Sequence, residues 1–318
     1  SFIWGTVFTD YENWSNGLDE NGRPNSYDPN VDVQHYNPGT AAHRGTTTEI
    51  GAKGTVEGIL CPSHAGAKNW SPTAYNPGTK MYYIPVNEAC NRALTIVADP
   101  DWDPAVRQWF LGGYPYQTFG DSDPAVQFAN GRFGRWVGSV TAIDVTSGSI
   151  AWKTHTDYPQ YGGLLTTGGG LVFSTYVEGK LVALDAKTGE EKWKFKSDEK
   201  VYPPKVSKGV VYFGSIDYYL YALDAKTGKE KWKKDILKKY HESQRYYDPQ
   251  KLIVSEGIVY FEILLHLYAL DIETGEEKWK FESGGINGTP KLSDGGIYFT
   301  KDMGDKLYAL DIETGEEK

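Results

Sequence analysis

KLVALDAKTGEEKW (180–193), YLYALDAKTGKEKW (219–232) and HLYALDIETGEEKW (266–279) are three copies of one phrase, and its reading decides the fold. A fourth copy, SVTAIDVTSGSIAW, covers 139–152, and a fifth, KLYALDIETGEEK, covers 306–318. The aspartates are Asp144, Asp185, Asp224, Asp271 and Asp311, spaced 41, 39, 47 and 40 residues apart. A period of about 40 residues is that of a repeat protein in which each repeat is one supersecondary unit.

Within one copy, Leu220, Ala222 and Asp224 alternate as in a strand with one buried face. Asp-x-x-Thr-Gly is turn chemistry: the carboxylate caps the local backbone and the glycine takes a positive φ. EKWKF then starts the next strand. Upstream lies a third strand after its own turn, in SKGVVYFGS (207–215), SEGIVYFEI (255–263) and SDGGIYFTK (293–301). A weaker fourth precedes it, as in KVYPPKV and INGTPKL. Four antiparallel strands in roughly 40 residues make a propeller blade, so the chain reads as an all-β propeller. KDILKKYHESQ (234–244) is the one short helical pattern, an insertion that lengthens one spacing to 47.

Working outward gives one domain over 1–318: blades at 160–198, 201–238, 248–284 and 286–318, and a larger one at 69–157. The large blade uses NWSPTAYNP (69–77), MYYIPVNEA (81–89), GSVTAIDV (138–145) and SIAWKTH (149–155), with an insertion over about 91–135. Residues 9–68 read as rim loops, where binding commonly resides. The count is five blades, or six if 9–60 hold a further sheet. In SFIWGTVF, Trp4 has the spacing of a motif tryptophan, so residues 1–8 are expected to close the ring. They would do so as the fourth strand beside Tyr308 and Leu310. Closure would remove two sheet edges.

The chain has 318 residues and a net charge of −9, with 14% aromatics. Mean hydropathy is −0.52 and no apolar run reaches the roughly 18 residues a membrane helix needs, so no membrane span is expected. The acidic balance argues against nucleic acid, which requires a basic face. Ser1 opens the chain without Met or a basic-then-apolar leader, which reads as a mature, processed or engineered start. Residues 1–179 hold four Lys and six Arg, whereas 180–318 hold twenty-two Lys and one Arg. Either two sequence histories meet near 180–200, as in a chimera, or the C-terminal blades of one protein diverged.

The A-x-D-x-x-[ST]-G-x-x-x-W copies resemble the tryptophan-docking motif of pyrroloquinoline-quinone (PQQ) dehydrogenases and PQQ-like repeat proteins. Residues 1–198 resemble the later blades of a quinoprotein alcohol dehydrogenase. The matching phrases are FIWGTVFTDYENWSNGLDENGRP, ILCPSHAGAKNWSPTAYNPGTKMYYIPVNEAC and PQYGGLLTTGGGLVFSTYVEGKLVALDAKTG. Residues 200–318 resemble only generic PQQ-like repeats, as in non-catalytic propellers.

The resemblance implies PQQ as cofactor, calcium or a lanthanide beside it, and an alcohol as substrate if the chain is catalytic. It implies a Cys61–Cys90 disulfide at LCPS and NEAC, and with it a periplasmic or extracellular location. The alternative is two free thiols. Two pocket positions carry over as cofactor-binding: Asn69 in AKNWSP and Tyr161 in PQYGG, the latter often Trp in the family. Against these stand plain readings, an Asn that caps its own turn and a Tyr that packs. The family's adjacent-cysteine disulfide, metal-binding Glu and Asn, base Asp, and Arg or Lys beside the quinone have no match, so no catalytic or metal residue is assigned. Trp4, Trp152, Trp193, Trp232 and Trp279 are docking residues. Asp99, Asp101 and Asp103 lack the Gly and Glu of a calcium loop. Three functions remain open. One is a quinoprotein-derived scaffold without its own dehydrogenase activity, another a reduced or partner-completed PQQ-dependent alcohol oxidoreductase, and the last a binding module with a protein partner at the rim loops.

Overall fold

In the computed structural model, the residues described are 2–10, 12, 17–25, 56–60, 62, 66–88, 91–95, 114–116, 138–176, 178–236, 252–263, 265–301 and 306–318. They form an all-β chain of twenty-two strands. Two compact units divide it, Ser1–Tyr161 with Lys187–Gly189, and Gly162–Ala186 with Glu190–Lys318.

In the first unit, β2 (Ala74–Asn76), β3 (Met81–Asn87), β6 (Gly138–Asp144) and β7 (Ile150–Thr156) pair in that order as one antiparallel sheet, the expected large blade. A second sheet orders β1 (Val56–Leu60), β4 (Asn91–Thr95) and β5 (Tyr114–Tyr116). Its strands come from stretches read as rim loop and insertion. Their sequences lack the repeat phrase, so only pairing at long range reveals them.

The second unit stacks three four-stranded sheets and a three-stranded one. These are β8 (Leu164–Thr166) to β11 (Glu191–Lys196), β12 (Lys205–Ser207) to β15 (Glu230–Asp235), β16 (Ile253–Ser255) to β19 (Glu277–Glu282), and β20 (Ile286–Ser293) to β22 (Leu307–Asp311). The core lies between successive sheets: Phe173, Leu181 and Ala183 pack with Val211, Phe213 and Leu223, and Tyr260, Leu267 and Ala269 with Ile297, Phe299 and Leu310. The motif strand is therefore buried on both faces, not one: Leu220, Tyr221, Ala222 and Leu223 are all inaccessible or nearly so. Cross-strand rings stack in three repeats, Phe213 on Tyr221, Phe261 on Tyr268 and Phe299 on Tyr308, with centroids 5.2, 5.3 and 5.6 Å apart. The helical pattern at 234–244 falls mostly outside the described residues, with Asp235 still in β15.

The Asp-x-x-Thr-Gly turn forms as the sequence requires. Asp224 Oδ1 accepts from the Thr227 amide at 2.8 Å and its hydroxyl at 2.7 Å, and Gly228 turns at φ +70°. One extra residue then enters the outer strand. Trp193 pairs with Ala183 while Glu191 pairs with Leu184, a bulge repeated at Ala222/Leu223, Ala269/Leu270 and Ala142/Ile143. It aims the indole at the next repeat.

Each motif tryptophan lands on the glycine of the following motif. Trp193 lies on Gly228, Trp232 on Gly275, Trp279 on Gly315 and Trp152 on Gly189. The indole Nε1 donates to the carbonyl after the next aspartate: Trp193 to Ala225 at 2.9 Å, Trp232 to Ile272 at 3.2 Å and Trp279 to Ile312 at 3.0 Å. The tyrosine hydroxyls of Tyr212 and Tyr260 donate to the same Ile272 and Ile312 carbonyls, at 3.3 and 3.2 Å.

Trp4 joins this series inside the first unit, because its indole covers Gly148. Thr6 Oγ1 donates to Gly148 O, as Thr154 Oγ1 donates to Gly189 O at 2.7 Å. Trp4-Gly-Thr6 thus makes the outer-strand contacts that Trp152-Lys-Thr154 makes. The ladder expected for the closing strand is not present: residues 2–8 carry no strand assignment. The position beside β22 is begun by the chain's own Glu317, bridged to Leu310, and by Lys318 N–H to Ala309 O at 2.9 Å.

A β-carbon at Gly228 would stand 2.7 Å from Trp193 Cδ2 and would also meet the positive φ. Gly228→Ala is expected to destabilise by about 1–3 kcal/mol through overpacking and strain. Trp193→Ala should cost about 3–5 kcal/mol through lost burial and the cavity left behind. Reversible denaturant unfolding measures both; a cost below about 1 kcal/mol for Trp193→Ala would contradict docking.

Candidate functional site

The two sequence-predicted cofactor positions meet at one end of the large sheet. Asn87 closes β3, pairs with Gly138 of β6, and donates its amide to Ala67 O at 2.7 Å. That bond fixes the start of the AKNWSP segment. Ser71, buried two residues beyond Asn69, donates Oγ to Tyr161 O at 3.0 Å. Asn69 and Tyr161, 92 positions apart in sequence, are thereby brought to one corner.

The floor of the corner is polar and closed. Gln160 is 1% exposed and donates to Thr156 Oγ1 at 3.0 Å, whose hydroxyl donates to Tyr158 O at 2.7 Å. A side chain at Gly138 would collide with Thr156 Oγ1 at 2.8 Å and Gln160 N at 3.0 Å, so glycine lets the 156–161 stretch lie flat on the sheet. Asn69 Oδ1 accepts from the Trp70 amide at 2.9 Å, the turn-capping role. Its Nδ2 remains a donor type. The Trp70 side chain projects into solvent, 78% exposed, and burial raises the Tyr161 phenol above its ordinary value.

Next to this corner lies a cluster that sequence reasoning missed. Glu88 follows β3, and period-two alternation sets it on the side of Ile84 and Val86. On the same side, Ser139 pairs across from His155 and Thr141 across from Lys153. Glu88 Oε1 accepts from Ser139 Oγ at 3.0 Å and from Lys153 Nζ at 3.2 Å, while Oε2 accepts the Asp10 amide at 2.8 Å. Asp10 bridges Lys153 Nζ at 2.7 Å and His155 Nε2 at 2.6 Å. The Glu88 side chain is 4% exposed and that of Lys153 12%. Residues 4–10 lie over this side as an alternating segment, with Trp4 and Thr6 on Gly148, Phe8 on the Ile84–Val86–Ile143 core and Asp10 on Lys153. The available signal was Lys153, one of only four lysines before residue 180. Its partner Asp10 lies 143 positions away, which no local pattern reveals.

Among the described residues no three His, Cys, Asp or Glu side chains cluster as a metal site. The buried Glu88 carboxylate and the half-buried Asp10 carboxylate are both engaged by Lys153. The described residues offer a PQQ-like group an amide donor from Asn69 and the Tyr161 ring, and among them no set of side chains fits its metal. Cys61, Cys90 and the Asp99–Asp103 stretch lie outside the described residues.

These sheets, docked by tryptophan on glycine, have a counterpart among known families. Residues 137–279 and 251–318 match PQQ_2, described as outer membrane protein assembly factor BamB. The chain belongs to the PQQ_2 repeat family. The family match begins at the first full motif and runs through the last. Curated relatives extend the likeness. The quinoprotein alcohol dehydrogenase PedH of Pseudomonas putida is 33% identical over 201 residues, 62% of this chain and 28% of PedH. The lanthanide-dependent methanol dehydrogenase of Methylorubrum extorquens is 30% identical over 185 residues, 58% of this chain and 27% of that enzyme. The chain thus spans less than a third of the length of these relatives. Among solved structures, BamB from Moraxella catarrhalis aligns at a TM-score of 0.47 and 23% identity, covering 57% of this chain and 60% of that one.

Burial opposes the Asp10 carboxylate, but the Lys153 and His155 hydrogen bonds and charges outweigh it and hold its pKa below the ordinary value. A carboxylate with a lowered folded pKa stabilises above its unfolded pKa and loses that contribution as pH falls through the folded one. Asp10→Asn should therefore be less stable than the wild type at neutral pH. The gap should narrow only below about pH 4, the unfolded carboxylate range. Melting temperatures of both proteins from pH 7 to pH 2.5 check this, and a gap that narrows already near neutrality contradicts it.

Proposed function

We propose that this chain is a propeller scaffold of the quinoprotein alcohol dehydrogenase type, whose Asn69–Tyr161 corner meets the face of a PQQ-like cofactor and which has no dehydrogenase turnover of its own. The observation that carries the reading is the Ser71–Tyr161 bond, which links the segments of the two family-matched positions, while the neighbouring Asp10 and Glu88 carboxylates are committed to Lys153. Asn69 Nδ2 would donate to a quinone or carboxylate oxygen, and the Tyr161 ring would lie along the planar face. Bound PQQ supplies two-electron oxidation chemistry; a dehydrogenase also needs a metal to polarise the quinone and a base for the alcohol proton. Among the described residues no cluster of three metal-ligating side chains is present, and the Asp10 and Glu88 carboxylates are both paired with Lys153.

A second reading is favoured by the 33% identity to PedH, namely a PQQ-dependent alcohol oxidoreductase whose missing groups come from a partner. An oxidising compartment, periplasmic or extracellular, suits both readings and the family's outer-membrane description. PQQ titrated with Ca²⁺ present, followed by dye-linked oxidation of ethanol and methanol, decides. Binding without turnover is expected. Turnover by the chain alone would overturn the scaffold reading, and no binding by the wild type would overturn the cofactor reading. Asn69→Ala should weaken binding about tenfold, the size of one charge-assisted hydrogen bond.

A further inference from the structure

We infer that Glu88 and Lys153 are positioning residues for the Asn69–Tyr161 corner, an inference that rests on reading that corner as the cofactor face. Glu88 is joined through one peptide bond to Asn87, whose amide holds Ala67 O at 2.7 Å, two residues from Asn69. From Ser71 the same segment reaches Tyr161 O at 3.0 Å. A continuous path thus runs from the Lys153 ammonium through the Glu88 carboxylate and the end of β3 to both predicted ligand-facing residues.

Burial makes this path stiff. A carboxylate at 4% exposure and an ammonium at 12% cannot be left singly charged in that place without a large desolvation penalty. The pair also has further anchors on two sides: Ser139 Oγ from β6, and Asp10 of the overlying segment, whose amide holds Glu88 and whose Oδ1 holds Lys153. Since an apolar pair of similar volume would stabilise as well, a buried ion pair is better explained by the conformation it specifies. Here it specifies where β3 stops and where the chain crosses to Asn69. Asp10 places the Trp4–Phe8 segment under the same control.

The test is hydrogen–deuterium exchange of the full chain for the wild type, Glu88→Gln, Lys153→Met and Lys153→Arg, with Lys192→Met as an exposed ion-pair control. Exchange at residues 66–71 and at the Asn87 amide should rise about tenfold in Glu88→Gln and Lys153→Met, while β8 to β22 keep their protection. It should return towards wild type in Lys153→Arg and not move in Lys192→Met. PQQ affinity should fall by about the same factor in the first two variants. Unchanged exchange at 66–71 overturns the inference. So does exchange raised uniformly through all strands, or failure of both variants to fold, since either marks a general stability role. If the wild type binds no PQQ, the cofactor reading falls while the exchange result still decides the positioning.

Discussion

The packing of an indole on a glycine is the contact on which the rest of this structure depends. At Gly189, Gly228, Gly275 and Gly315 the turn has no side chain, and the preceding repeat's tryptophan occupies that space. The geometry is exacting because three separate features must coincide. The aspartate must cap the turn, the glycine must take a positive φ, and the bulge opposite the alanine must rotate the tryptophan towards its neighbour. Each repeat supplies the tryptophan and receives the one before it, so stability passes from sheet to sheet as nearest-neighbour terms. The shared carbonyls of Ile272 and Ile312, each taking a tryptophan N–H and a tyrosine O–H, keep the buried polar atoms at these junctions satisfied.

The first unit applies the same contact to another end. Trp4 and Thr6 hold the Gly148 turn as Trp152 and Thr154 hold Gly189, and the segment that carries them continues to Asp10. The large sheet is therefore covered on one side by a strand-like segment fixed at both ends, by an apolar lock at Gly148 and an ionic one at Lys153. The ionic end adjoins the corner where the AKNWSP and PQYGG stretches meet. Fold and candidate site share residues here, with the Asp10 and Glu88 carboxylates both paired with Lys153.

Much of this was legible in the residues. The five copies of one phrase marked the strands and turns of the repeats; Trp4 stood out by its spacing, but the place expected for it, beside Tyr308 and Leu310, is not the one it takes on Gly148. Two things misled. Alternation in YLYALD suggested a single buried face, yet Tyr221 and Leu223 are buried too, because a sheet stacked between sheets has no outer face in its middle strands. Residues 56–60, 91–95 and 114–116 read as loop and insertion, since a strand defined only by distant partners leaves no local period.

By itself the sequence determined the repeat, its strands and its docking chemistry, because all of these depend on contacts whose spacing is fixed within about 40 residues. It also nominated Asn69 and Tyr161 by resemblance. Only the tertiary structure decided that Ser71 joins them, that Trp4 belongs to Gly148, and that Glu88, Lys153, Asp10 and His155 form one network. Those are pairings across 65 to 145 positions, and the chain carries no local signal for them. Hydrogen bonds and ion pairs depend on distances of about 3 Å, which folding alone sets.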